Sequence, residues 1–430
     1  MNIQYPPIVV GLLVVAVCFP VSSQNGKPNP LVQVSGAANQ IPTAGTVTLE
    51  DSDASSTPPA ATVKVKSSGT QPPLVQINPA DPPGSEMTSR GRNLRGVYMP
   101  VGKVKTWAPA KMARELQALG ANAVVMDFKD DFGRITFTNK LEMARGYPHG
   151  YIPRMKKMVH TLKDHDIYVI ARVVCFKDNW FATRWKEVAI QDIGTKGKWH
   201  DLHNQKWVDP HSQKMRDHIV SVAAAAEALG VDEIQLDYVR FPVEPSTRNA
   251  RYPMKKAGDK RYEVIAELLR QIDGAISIPL SADVFGLTAY HPDESERLGQ
   301  YLEYLAPHLD AISPMVYLAN WPPKYWENPK PEKTHQVIKG ACARIRQRLG
   351  NDIVIRPLLQ AFRWRAENWG YSFIKNQMEA AINGGADGHL FWNAGGRYKL
   401  VKAVWYDADR SASNDTDTDK PESDTSGAPK

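Results

Sequence analysis

Residues 233–241 read EIQLDYVRF. Taken as a strand, the run places Glu233, Gln235 and Asp237 on one face and Ile234, Leu236 and Tyr238 on the other, because strand side chains alternate. A strand with an apolar face and a carboxylate face belongs in a sheet covered on one side by helices, with the polar face turned to an interior of its own. The flanking sequence supplies those helices. SQKMRDHIVSVAAAAEALG precedes the run and KRYEVIAELLRQIDGAI follows it, both amphipathic at helical spacing.

Seven further apolar runs repeat this pattern: GVYMP (96–100), AVVMDFKD (123–130), YVIARVVCF (168–176), PLSADVFG (279–286), AISPMVY (311–317), IVIRPLLQAF (353–362) and GHLFWNA (388–394). Helical stretches separate most of them, several ending in glycine as helices commonly do, and a last helix is expected near 397–406. Eight strand-helix repeats in about 315 residues predict an α/β fold of the TIM (β/α)8 barrel type. An open doubly wound sheet is the alternative, but no G-x-G-x-x-G follows the first strand.

The flanks read differently. Residues 1–23 contain IVVGLLVVAVCFPV, the length of a signal-peptide core and short for a span of roughly 20 residues. The absence of Lys or Arg before it and of a clear cleavage site keeps an uncleaved membrane anchor open beside a signal peptide. Residues 24–90, rich in Pro, Ser, Thr, Ala and Gly, predict a disordered linker. Residues 407–430 predict a disordered acidic tail. The tail holds seven acids and three bases and the linker five acids and four bases, so a chain of net charge +7 leaves +12 on the 91–406 barrel domain. The expected location is outside the cytoplasm, periplasmic or at the cell envelope.

A basic body suits nucleic acid, an anionic polymer or an exported enzyme. No basic-aromatic repeat or zinc-knuckle spacing accompanies it, so no nucleic-acid partner is expected. With Cys175 and Cys342 alone in the body, a disulfide framework is excluded. The chain is expected to be a monomer without a cofactor.

Sorting strand faces by the apolar set gives the candidate site. Asp127 and Lys129 on strand two, Arg172 on strand three, Asp237 on strand four, Ser281 and Asp283 on strand five, Arg356 and Gln360 on strand seven, and His389 and Asn393 on strand eight are expected to face the lumen. Barrel enzymes keep their chemistry at the C-terminal mouth, which makes Asp127, Asp237 and Asp283 the catalytic candidates. Buried ion pairs with Arg172, Arg240 or Lys129 are the competing structural explanation. Two inward acids on adjacent strands, Asp237 and Asp283, would raise one another's pKa. Such a pair could hydrolyse a glycosidic bond, one group ionised and the other protonated.

The loops YLANWPPKYW (317–326), FRWRAENWGY (362–371) and LFWNAGG (390–396) bring Trp321, Trp326, Trp364 and Trp369 near that mouth. Aromatic faces stack on sugar rings, and Arg, Asn and Gln bond hydroxyls. Lys129, Arg172, Arg240, Tyr317, Trp321, Gln360, Trp364, Trp392 and Asn393 are therefore the substrate-binding candidates. Metal chemistry at His200, His203, Asp209 and His211 is weaker, since this H-x-x-H lacks a glutamate partner.

RGVYMP, NAVVMDFKDDFG, VDEIQLDYVRFP, SADVFG and DAISPMVY together resemble the putative glycosyl hydrolase family of unknown function, an alpha-amylase-like TIM barrel, over residues 94–400. The resemblance implies a carbohydrate-active barrel with Asp237 as strand-four nucleophile and Asp283 at the strand-five acid position. The chain departs from amylases in carrying Gln235 two residues before Asp237, an aspartate rather than a glutamate at 283, and Gln360 near the strand-seven acid. A glycoside hydrolase acting on a polysaccharide is the expected function, and the basic body suits an anionic one. A non-catalytic polysaccharide- or peptidoglycan-binding barrel and a metal-dependent hydrolase or deacetylase are the alternatives.

Overall fold

The computed structural model describes residues 89–417 apart from 139, 142, 144–151, 244 and 323–329. The apolar run at 8–21, most of the linker, the end of the acidic tail and Trp326 lie outside the described residues.

Eight parallel strands close into a barrel: β1 (Arg95–Met99), β2 (Ala123–Lys129), β3 (Tyr168–Val174), β4 (Glu233–Asp237), β5 (Leu280–Phe285), β6 (Ala311–Met315), β7 (Val354–Ile355 and Leu358–Gln360) and β8 (His389–Trp392). Arg95 beside His389 and Gly96 beside Ala123 join β1 to both neighbours, which closes the ring. Both halves of β7 pair with β6. The break falls at Arg356-Pro357, where the proline has no N–H to give the ladder.

Helices follow from the spacing of their buried residues. Met112, Ala113 and Leu116 seat Pro109–Leu119 against the barrel, and Met155, Met158, Val159 and Leu162 do so for Met155–Asp164. Ser212 starts Gln213–Glu227 by accepting the Met215 N–H at 3.2 Å, a side-chain N-cap. Gly120, in the left-handed region at φ 84°, ends Pro109–Leu119. Among the described residues no helix is long and apolar enough to cross a membrane.

The core is layered. One apolar cluster lies between strands and helices, and a second, including Tyr98, Val125, Ile170, Leu358 and Leu390, fills the lumen. The N-terminal end of the lumen is closed by a buried polar group. Arg356 donates to Glu233 at 2.5 Å and to the Gly91 carbonyl at 3.1 Å, while Ser281 and Tyr168 also donate to Glu233.

Two expected boundaries move. The fourth strand stops at Asp237 rather than running to 241, because Tyr238 adopts a left-handed φ of 50° and turns the chain. The last helix runs Lys399–Asp417, beyond the predicted 406, and Asp409 on it accepts from Arg95 at 2.6 Å. Beyond β3 and β4 the loops are long, and a short antiparallel pairing of Gln191–Asp192 with Ala250–Arg251 ties them together.

Candidate active site

The C-terminal ends of β2, β3 and β4 converge on one guanidinium. Arg172 stands beside Asp127 in the β2–β3 register and one step below the pairing of Val174 with Asp237. Its Nη1 donates to Asp127 Oδ1 at 2.6 Å. Nε and Nη2 donate to Asp237 Oδ2 at 3.0 and 2.5 Å, and Nη2 donates also to Asp131 Oδ1 at 2.8 Å. The planar fork of arginine presents several donors in fixed directions, which lets one cation hold three carboxylates. Tyr98 completes the Asp127 shell through its hydroxyl, 2.6 Å from Oδ2. Asp237 Oδ1 accepts the Tyr238 N–H at 2.6 Å.

Asp283 is different. Leu236 pairs with Ala282 across β4 and β5, so Asp237 and Asp283 follow side by side, and no described group hydrogen-bonds Asp283 Oδ1. Burial first, and then the neighbouring charge of Asp237, push the Asp283 carboxyl well above the usual carboxylate range. Burial also raises Asp127, to about 6, against the opposing pull of Arg172. Asp131 goes the other way: burial would raise it, but Arg172 and then Lys177 hold it below its ordinary value. Burial and neighbouring charge thus push Asp283 and Asp127 up and Asp131 down within one cluster.

Aromatic rings line the entrance. Tyr98 and Trp392 stack at 3.9 Å with an interplanar angle of 20°, and the Arg172 guanidinium lies 5.1 Å from the Trp392 ring centre. Trp364 and Phe285 are half-buried beside the lumen cluster that holds Tyr317 and Phe362. Burial, followed by the charges of Asp237 and Asp283, raises the Tyr317 phenol, which puts it within electrostatic reach of that pair.

The other predicted residues scatter. A β-bulge between Asp127 and Lys129 shifts the register so that Lys129 pairs with Val173, and its ammonium forms a fully buried ion pair with Asp178 at 2.8 Å instead of joining the carboxylates. Arg240, beyond the turn at Tyr238, is buried among the Trp207, Tyr238 and Phe285 rings at 5.0, 5.2 and 4.6 Å. The Gln360 amide donates to the Phe362 and Trp364 carbonyls at 2.9 Å each, shaping that loop. Asn393 donates to the Ala361 carbonyl and accepts the Gly395 N–H at 2.8 Å, bracing the adjacent turn.

Trp321 is buried in the outer core with its indole N–H on the Met315 carbonyl, 3.2 Å away. Trp369 packs against Phe373. His389 was expected in the lumen but accepts the Trp405 indole N–H at 3.0 Å, so it faces the terminal helix. In the 200–211 loop, Asp201 accepts the His203 and Gln205 N–H groups and Asp209 accepts His211. These are turn anchors, and among the described residues no three His, Cys, Asp or Glu side chains form a metal-binding group.

Sequence reasoning missed Asp131 and Tyr98. Both sit inside quoted motifs, FKDDFG and RGVYMP. The face test would have found Tyr98, whose neighbours Val97 and Met99 belong to the outer core. Asp131 lies past the strand end, where alternation no longer applies.

A family model described as "Putative glycosyl hydrolase domain" matches residues 96–398. No curated protein matches the chain. Among solved structures, the PgaB (BpsB) glycoside hydrolase domain from Bordetella bronchiseptica is 12% identical, covers 73% of this chain and 98% of its own, and superposes with a TM-score of 0.56. That likeness is one of fold. A hypothetical protein from Ruminiclostridium thermocellum ATCC 27405 is 29% identical over 44% of this chain and 97% of its own, with a TM-score of 0.39. Alpha-L-fucosidase isoenzyme 2 from Paenibacillus thiaminolyticus is 12% identical over 75% and 50%, with a TM-score of 0.48.

Proposed function

The chain belongs to the family described as "Putative glycosyl hydrolase domain", and on that premise we propose that it hydrolyses glycosidic bonds of a polysaccharide with Asp237 and Asp283 as its carboxyl pair. The observation that carries this reading is the asymmetry of the pair. Asp237 is ion-paired with Arg172, whereas burial and the Asp237 charge favour the protonated form of Asp283. Glycoside hydrolysis needs both forms at once.

In this mechanism Asp283 gives its proton to the leaving glycosidic oxygen as the bond to the anomeric carbon breaks, and water then adds to that carbon as hydroxide while its other proton returns to the carboxyl pair. Asp237 supplies the negative charge that the oxocarbenium-like transition state requires. Arg172 is a positioning residue that fixes the Asp237 carboxylate, and Asp127 and Tyr98 fix Arg172 in turn. Trp392 and Trp364 offer flat apolar faces for sugar rings. We further infer an exported enzyme, a reading supported by the 14-residue apolar run IVVGLLVVAVCFPV.

The test is Asp237→Asn assayed beside the native chain on a polysaccharide panel. Loss of a transition-state charge interaction is expected to lower turnover by about 10³-fold or more, with sugar binding retained. A binding barrel without catalysis would show no turnover in the native chain, and that result would falsify the proposal.

A further inference from the structure

On the loops that follow β7 and β8, and at the starts of the helices after them, lies a cavity of about 300 Å³. Phe362, Trp369 and Tyr398 form much of its wall, and Arg363, Arg397 and Lys399 bring three cations to it. No acidic side chain lines it. Among the described residues none of the three cations has an ion-pair partner within reach, although Arg95, Arg172, Arg346 and Arg348 each pair with an acid. Lys399 also opens the 19-residue helix Lys399–Asp417, and the amides of a first helical turn have no acceptor within the helix and favour a negative charge.

We propose that this cavity is a subsite for an anionic sugar, binding a ring that carries a carboxylate or sulfate ester; the inference rests on the hydrolase reading and names its substrate class. The volume falls at the lower end of ligand pockets, which run from about 300 to 1,000 Å³, so it suits one sugar unit rather than a length of chain. The rings supply an apolar face and the arginines bidentate donors for the anion. The arrangement also has an electrostatic consequence. Asp127, Asp131 and Asp237 gather on Arg172 at the mouth, and three cations on the loops after β7 and β8 add attraction for an acidic polymer that those carboxylates do not provide. Phe362 borders both regions, since it belongs to the lumen cluster and lines the cavity.

Binding of an oligoglucuronate, its carboxyl-reduced neutral counterpart and a sulfated oligoglucoside to the full chain would be measured by titration calorimetry at low and high salt. The acidic oligomer is expected to bind at least about tenfold more tightly than the neutral one at low salt. In an Arg363→Ala, Arg397→Ala, Lys399→Ala triple variant that ratio is expected to fall to about one. Preference between the carboxylated and sulfated oligomers assigns the anion, and either preference supports the site. A native chain that does not discriminate by charge, or a triple variant that still does, overturns it. Should the triple variant melt early, the single Arg397→Gln exchange serves, with a reduced ratio expected and an unchanged one counting against the site. The two readings part cleanly: Asp237-dependent turnover without charge discrimination removes only the subsite, and cation-dependent binding without turnover removes only the hydrolase.

Discussion

Asp283 carries the sharpest residue-scale expectation, because its burial leaves a carboxyl with an unbonded oxygen beside another acid. A carboxyl whose folded pKa is raised is protonated more readily in the folded than in the unfolded state. The folded state therefore loses stability as pH climbs above about 4, at about 1.4 kcal/mol per pH unit, until the folded pKa is passed. Asparagine at 283 is neutral throughout. Asp283→Asn is expected to abolish turnover yet resist denaturant better than the native chain at pH 7, with the advantage shrinking as pH is lowered toward 4. Urea unfolding at several pH values checks this, and a difference independent of pH would sink the assigned protonation. Asp237 and Asp283 were legible in the sequence, because alternation sorts strand faces without any structure. A pairing of these acids with Arg172 was legible too, as the structural explanation, and it is present for Asp127 and Asp237; the three-way hub was not. That Arg172 would bind Asp127, Asp131 and Asp237 together depends on the relative heights of three strands, and alternation is silent on height.

At the scale of elements, local backbone departures decide what periodicity cannot. The bulge in β2 reassigns Lys129 from the carboxylates to Asp178. The left-handed Tyr238 ends β4 at Asp237 and sends Arg240 among aromatic rings. A third case is Gly133, at φ 85°, in the loop that carries Asp131. A Cβ there would lie 1.9 Å from Asp178 Oδ1, and Asp178 both caps Asn179–Arg184 and pairs with Lys129. Gly133→Ala is expected to cost at least about 2 kcal/mol, combining left-handed strain with displacement of that carboxylate. The shift in urea midpoint measures it. Because the same loop presents Asp131 to Arg172, a loss of turnover is expected to accompany the loss of stability.

Over the whole molecule, closure of the barrel brings the first strand against the terminal helix, where Arg95 donates to Asp409 at 2.6 Å. The helix Lys399–Asp417 lies between Pro109–Leu119 and Tyr371–Asn383, and Trp405 on it is fully buried with its indole bonded to His389 of β8. Trp405→Ala is expected to destabilise the fold by about 3–5 kcal/mol, read from the denaturation midpoint. The sequence by itself determined the (β/α)8 architecture, the approximate strand positions, and the inward direction of Asp127, Asp237 and Asp283, because hydrophobic period is a local property written along the chain. Only the tertiary structure decided which charges meet. Arg172 with three acids, Lys129 with Asp178 and the cationic cavity beside β7 and β8 all depend on register, bulges and loop paths between segments distant in sequence, and those are set by packing rather than by any local pattern.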